Sequence, residues 1–417
     1  MDKFIITGGN KLAGNVKISG AKNAILPIMT AALLAKGKSI FHNVPHLNDI
    51  KMMAHVLRVL GARVEYENET LSIDTTHADY YEAPYELVSK MRASIYVLGP
   101  LLARCGKARV SFPGGCAIGT RPVDLHLKVM EALGAEIEID HGYINAVCKD
   151  LKGAKIRFEK VSVGATANAI MAAVLANGIT DLYNVAKEPE IGDLINCLIL
   201  MGAKIDGKDT SHLQITGVEE LLPIETEMMP DRIEAGTFLI AGAITGSRIS
   251  ISNCVPEHIQ SLIDRLVQAG CKLNIEEKRI EIIPPKKILP VDIVTYPYPD
   301  FPTDLQAQFM ALMCLAEGES RIEDTIFPDR LMHVAELNRL DADISLEKHV
   351  AIVNGVNSLS GAMVMATDLR ASAALVLAGL AADGETTISR IYHIDRGYDK
   401  IEAKLQKLGA DIKRIKG

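Results

Sequence analysis

The segment Phe112-Pro113-Gly114-Gly115-Cys116-Ala117-Ile118-Gly119-Thr120-Arg121-Pro122 brackets one cysteine with three glycines and two prolines. It has neither a helical nor a strand period, which suits a mobile lid. A thiol on such a loop, close to Arg121, can have a lowered pKa and act as an acid or a nucleophile. The plainer alternative is an incidental loop cysteine. The other six cysteines form no CxxC pair, so neither a disulfide framework nor a zinc site is supported. Asp304 follows Phe301-Pro302-Thr303, where Pro and Thr start a helix and leave the carboxylate in its first turn. There it can simply answer the helix dipole, or, beside a substrate hydroxyl, accept a proton. His393-Ile394-Asp395-Arg396-Gly397 is a comparable polar cluster.

Cations recur at similar places. Lys22, Arg92, Arg232 and Arg370 each stand at the entrance to an apolar, small-residue-rich helix, and Arg121 and Arg396 follow in nearby loops. Each one alone reads as a solvated surface charge. Together, at the mouths of helices whose N–H groups are unpaired, they describe an anion site that takes phosphate and carboxylate. The expectation is a cleft at which central helices from two domains aim their N-termini.

The elements that position these residues repeat. A helix ending of the type Leu-x-x-Leu-Gly-Ala recurs at Gly61, Gly134, Gly202, Gly270, Asp341 and Gly409. A second marker, a glycine between an apolar helix and a strand, recurs at Gly37, Gly106, Gly178, Gly246, Gly318 and Gly384. Both keep a period of about seventy residues, the signature of one supersecondary unit used repeatedly. Each unit reads as βαβαββ: a helix apolar all round, hence buried on all sides, then a strand, an amphipathic helix and a strand pair. The last copy stops one strand after its helix. Residues 1 to about 20, with FIITGG and GNVKISG, are expected to complete this sixth unit and bring the termini together. Six units with buried central helices predict an α/β protein of two domains with three repeats each. The first covers residues 21–229 and carries the cysteine loop; the second covers 1–20 plus 230–417. A single solenoid is disfavoured because its helices would keep an exposed face.

Composition agrees. The 417 residues exceed one compact core, and 48% hydrophobic with 23% charged residues is ordinary for a globular protein. A net charge of −7, no Trp and only 5% aromatics argue against nucleic-acid binding. No apolar run is long enough for a membrane span and no secretory signal opens the sequence, so a cytoplasmic protein is expected.

The stretches SGAKNAILP (19–27), PGGCAIGTRPVDLHL (113–127), FPTDLQAQ (301–308), MATDLRASAALVLAG (365–379) and RIYHIDRGY (390–398) resemble the UDP-N-acetylglucosamine 1-carboxyvinyltransferases, an enolpyruvyl transferase family. The resemblance runs over essentially the whole chain. It implies a two-domain inside-out α/β barrel of six βαβαββ units and a reaction without metal or other cofactor. Phosphoenolpyruvate would give its enolpyruvyl group to the 3-hydroxyl of UDP-N-acetylglucosamine, releasing phosphate by addition and elimination. That is the first committed step of peptidoglycan synthesis. Carried over by position, Lys22 and Asn23 would touch phosphoenolpyruvate, with Arg121 and Arg396 on its phosphate or carboxylate. Cys116 would donate the proton and can form a covalent adduct. Arg92, Arg121, Pro122, Val123, Asp124, Leu125, Lys160, Val161, Ser162, Val163, Asp304 and Ile326 would contact the UDP-sugar. Asp304 would be the base, and Arg370 would support the cleft. The alternatives are a shikimate-pathway enolpyruvyl transferase, which lacks the RPVDL-tailed cysteine loop, and a non-catalytic anion-binding scaffold on the same repeat.

Overall fold

A computed structural model describes residues 2–89, 91–112 and 123–417. Within them the chain forms two compact units, one of residues 20–112 and 123–229, the other of residues 2–19 and 230–417. Each unit has its own hydrophobic core and three four-stranded sheets.

The second repeat shows the pattern. Strand Glu82–Ala83 enters, a helical stretch crosses, and strand Lys107–Ser111 pairs parallel with it; the hairpin of Glu136–Asp140 and Tyr143–Val147 completes the sheet. Among the described residues five of the six sheets have this order: an entering strand, the strand after a central helix, then a hairpin with its second strand inward; in the sixth, Lys3–Thr7 takes the inner place beside Asp411–Ile415. The central helices are Lys22–Ala31, Leu98–Cys105, Val163–Ala173, Arg232–Ile244, Thr303–Met313 and Leu369–Ala381. They are buried because they have no polar face; all thirteen residues of Arg232–Ile244 are inaccessible. The outer helices are one-sided, as in Gln260–Gln268, where only Leu262, Ile263 and Leu266 face the core. No helix among the described residues is long and apolar enough to cross a membrane.

The structure differs from the sequence-based expectation at two points. The N-terminal segment does not complete the sixth repeat as a pair. Lys3–Thr7 does join that sheet, between Glu385–Ser389 and Asp411–Ile415, whereas Gly14–Lys17 pairs parallel with Ile249–Ser252 of the fourth. The cause lies in the connections. The chain leaves Gly14–Lys17 for a helix of the other unit, so this strand fills the fourth sheet's edge. The matching strand Glu225–Glu227, just before the helix Arg232–Ile244, pairs with Lys38–His42 of the first repeat.

The second central helix is not continuous. It begins as a 3-10 turn, Arg92–Val97, and becomes α-helical only at Leu98. Pro100 has no N–H and its ring would meet the carbonyl four residues back, which disfavours a regular α-helix across that point. Asp341, the one departure from glycine in the helix-ending marker, takes the same left-handed backbone as its counterparts, with φ of 65°. Aspartate tolerates this conformation better than most side chains, so the repeat is kept.

Candidate active site

Aspartates stand at the mouths of all three central helices of the second unit, but they do different work. Asp231 caps Arg232–Ile244, accepting from Ile233 and Glu234 N–H at 2.8 and 3.0 Å. Asp368 caps Leu369–Ala381 in the same way, accepting from Arg370 and Ala371 N–H at 2.8 and 3.1 Å. In Thr303–Met313 the cap position is Pro302, and Asp304 lies two residues past it. Its carboxylate therefore reaches away from its own helix. Oδ1 accepts from Arg330 Nη1 and Oδ2 from Arg370 Nη2, each at 2.9 Å.

Both guanidiniums are buried, their side chains 5% and 3% exposed, while that of Asp304 keeps 26%. Burial alone would raise the Asp304 pKa. Arg370 and Arg330 outweigh it and hold the carboxyl well below the usual range. The group is ionised at any working pH and, while both arginines hold it, a weak base.

A second layer fixes these partners. Arg330 Nη1 also donates to Thr303 Oγ1 at 3.0 Å, and that hydroxyl donates to Asp324 Oδ2 at 2.6 Å. The other Asp324 oxygen accepts from Thr295 Oγ1 and from the N–H groups of Ile326 and Phe327. Ile326 is thus tied to the Asp304 cluster by one carboxylate. Behind Arg370, its guanidinium lies 5.6 Å from the Tyr398 ring, and the phenol is held by Thr237 at 2.8 Å and Gln308 at 3.2 Å. Arg396 ends the 3-10 turn Ile391–Arg396 and is half-buried. Its neighbour Asp395 is clamped by Arg414 at 2.5 and 3.1 Å, a structural tie within the polar cluster.

In the first unit, Lys22 occupies the first turn of Lys22–Ala31 and its ammonium meets Asp49 Oδ2 at 2.8 Å. Both side chains are about nine-tenths buried, 10% and 7% exposed. Asn23 is the next residue and is half-buried. Ser162 caps Val163–Ala173, accepting from Ala165 N–H, with Val161 and Val163 half-buried beside it and Lys160 exposed. Val123 and Leu125 are buried at the start of Asp124–Ala132, while Asp124 faces solvent in its first turn. Arg92 opens the 3-10 turn of the second repeat. Cys116, Arg121 and Pro122, named from the sequence, lie outside the described residues.

Sequence reasoning passed over Arg330 and Asp49. Both follow the strand after a central helix, Asp49 in the first turn of the helix Asn48–Val59 and Arg330 in the loop after Glu319–Asp324. This is a fixed place in the repeat where comparing the six copies for charge would have found them.

The family model described as EPSP synthase (3-phosphoshikimate 1-carboxyvinyltransferase) matches residues 6–405. A relative from Geobacter metallireducens, UDP-N-acetylglucosamine 1-carboxyvinyltransferase, is 56% identical over 416 residues and covers 100% of both chains. Among solved structures, the enolpyruvyl transferase NikO from Streptomyces tendae superposes with a TM-score of 0.89 at 26% identity, over 100% of this chain and 99% of its own. EPSP synthase from Acinetobacter baumannii shares the fold, with a TM-score of 0.77 at 17% identity over 100% of both chains. The chain is a transferase of the enolpyruvyl transferase family, and within it belongs with the UDP-N-acetylglucosamine 1-carboxyvinyltransferases.

Proposed function

We propose that this enzyme transfers the enolpyruvyl group of phosphoenolpyruvate to the 3-hydroxyl of UDP-N-acetylglucosamine. Identity of 56% over the full length with a relative named for that reaction carries the reading. The sugar oxygen adds to C2 of phosphoenolpyruvate while C3 takes a proton. Phosphate then leaves and C3 gives a proton back, leaving the enol ether. Cys116 serves as the proton donor. Lys22, Asn23, Arg121 and Arg396 hold phosphoenolpyruvate. Arg92, Asp124, Leu125, Ser162, Val163 and Ile326 serve the sugar nucleotide. The enzyme works in the cytoplasm.

Asp304 accepts the hydroxyl proton, and its setting supports a condition on that role. Two guanidiniums hold one carboxylate. An arriving phosphate or carboxylate competes for Arg330 and Arg370. As it draws them off, Asp304 becomes a stronger base. Substrate binding therefore switches the base on.

The test is phosphate release from phosphoenolpyruvate in the presence of UDP-N-acetylglucosamine, run beside shikimate 3-phosphate. Turnover is expected with the first acceptor only. Release with shikimate 3-phosphate alone would move the chain to the other branch of the family. Cys116→Ala is expected to abolish turnover while the circular dichroism spectrum is unchanged; an unaltered rate would remove the thiol from the mechanism.

A further inference from the structure

Three stretches assigned to the sugar nucleotide, from the second and third repeats, meet at a residue outside that assignment. His126 is buried, 4% exposed, in the helix Asp124–Ala132. A Cβ on Gly164, next to Ser162-Val163, would stand 3.2 Å from both Cε1 and Nε2 of its ring. Arg92 and Asp124 are the charges whose fields reach it. Its other nitrogen, Nδ1, lies 2.9 Å from Asn168 Nδ2 in the third central helix.

The hydrogen-bond network fixes the protonation of this ring. The Gly99 N–H can only donate, so the Asn168 atom 3.0 Å from it is the oxygen. The Ile95 carbonyl can only accept, so the atom 2.9 Å from it is the amide nitrogen. That nitrogen also faces His126 Nδ1, which must then be the acceptor, placing the single ring proton on Nε2. A second proton on Nδ1 would set donor against donor and force Asn168 to abandon Gly99 and Ile95. Burial, with Arg92 adding to it, pushes the imidazole pKa down to about 4.

We propose that His126 is a positioning residue for the sugar nucleotide. Locked by Asn168 as the neutral Nε2–H tautomer and set against the side-chain-free Gly164, it holds the Ser162–Gly164 turn and Arg92 in the arrangement that receives the UDP-sugar. The proposal rests on the function inferred above. It accounts for Gly164 as well as for the asparagine buried in an otherwise apolar helix.

The test uses the full chain and measures KM for each substrate together with kcat. Calorimetric binding of UDP-N-acetylglucosamine to the unaltered protein comes first; absence of binding there would defeat the functional reading, not this one. His126→Ala is expected to raise KM for UDP-N-acetylglucosamine at least tenfold, leaving kcat and KM for phosphoenolpyruvate within threefold. His126→Gln, which keeps a neutral N–H donor, should recover most of the loss. In the unaltered enzyme that KM should be flat above about pH 5.5 and rise as the pH falls towards 4, a rise absent in His126→Gln. If His126→Ala does not fold, Gly164→Ala tests the same contact: its methyl crowds the ring and should raise the same KM, and adding His126→Gln should change that penalty. An unchanged KM for UDP-N-acetylglucosamine in a folded His126→Ala or Gly164→Ala protein, or equal rises for both substrates, would overturn the proposal.

Discussion

The mouths of the fifth and sixth central helices carry the same side chain at positions two residues apart relative to the cap. Asp368, at the cap, spends one oxygen, Oδ1, on the first N–H groups of its own helix. Asp304, two residues past the cap, sends its two oxygens to guanidiniums from elsewhere in the fold. The cap is a local device that any helix can use. The displaced aspartate is a long-range one, needing Arg330 and Arg370 buried beside it. A shift of two residues relative to the helix start thus turns a stabilising carboxylate into one with a reaction to serve. The first unit offers a third variant: at Lys22 the helix mouth holds the cation, and the first turn of the helix Asn48–Val59 supplies its partner Asp49.

The contrast breaks most visibly at Asp304 itself. Asp304→Asn keeps the shape but removes the proton acceptor, so kcat should fall by roughly 10² to 10⁴. A loss below about fivefold in steady-state assays would mean that the carboxylate only orients the arginines. A smaller effect should appear with pH behind the same cluster. His333 is buried near Asp368 and Arg330, and its pKa is pushed down to about 4, by burial first. Because the unfolded chain binds this proton more readily, the contribution is complete above about pH 6.5 and is lost as the pH falls towards 4. Urea midpoints should therefore drop in that window, by up to about 1.4 kcal/mol per pH unit for one group. His333→Gln should flatten the decline, and parallel curves for the two proteins would exclude the histidine as its source. The mildest change is at the fourth helix, where Asp231→Ala removes a cap and should cost about 1 kcal/mol of stability. Equal denaturation midpoints would show that the cap is dispensable there.

Much of this frame can be read from the residues alone, because the signals are local. Gly61 and its counterparts mark helix ends by backbone conformation, and an all-apolar helix has no choice but burial. Even Asp304 could be placed in a first turn from Pro302 and Thr303. What escaped are facts about partners. Nothing around Arg330 says that its guanidinium meets a carboxylate from another helix, and Asn168 alone does not announce that it fixes the proton on His126. The destination of Gly14–Lys17 escaped for a related reason: a four-residue strand carries too little pattern to name its sheet.

The exchange of those two short strands leaves every described ladder inside one unit. Lys3 also sits opposite Ile415 on adjacent strands. Topologically the molecule is a ring of six links opened at an arbitrary place. A bench permutant that ties the two ends and reopens the chain before residue 20 or after residue 229 would sever no strand pairing. It would turn one of the units from a split segment into an uninterrupted cassette.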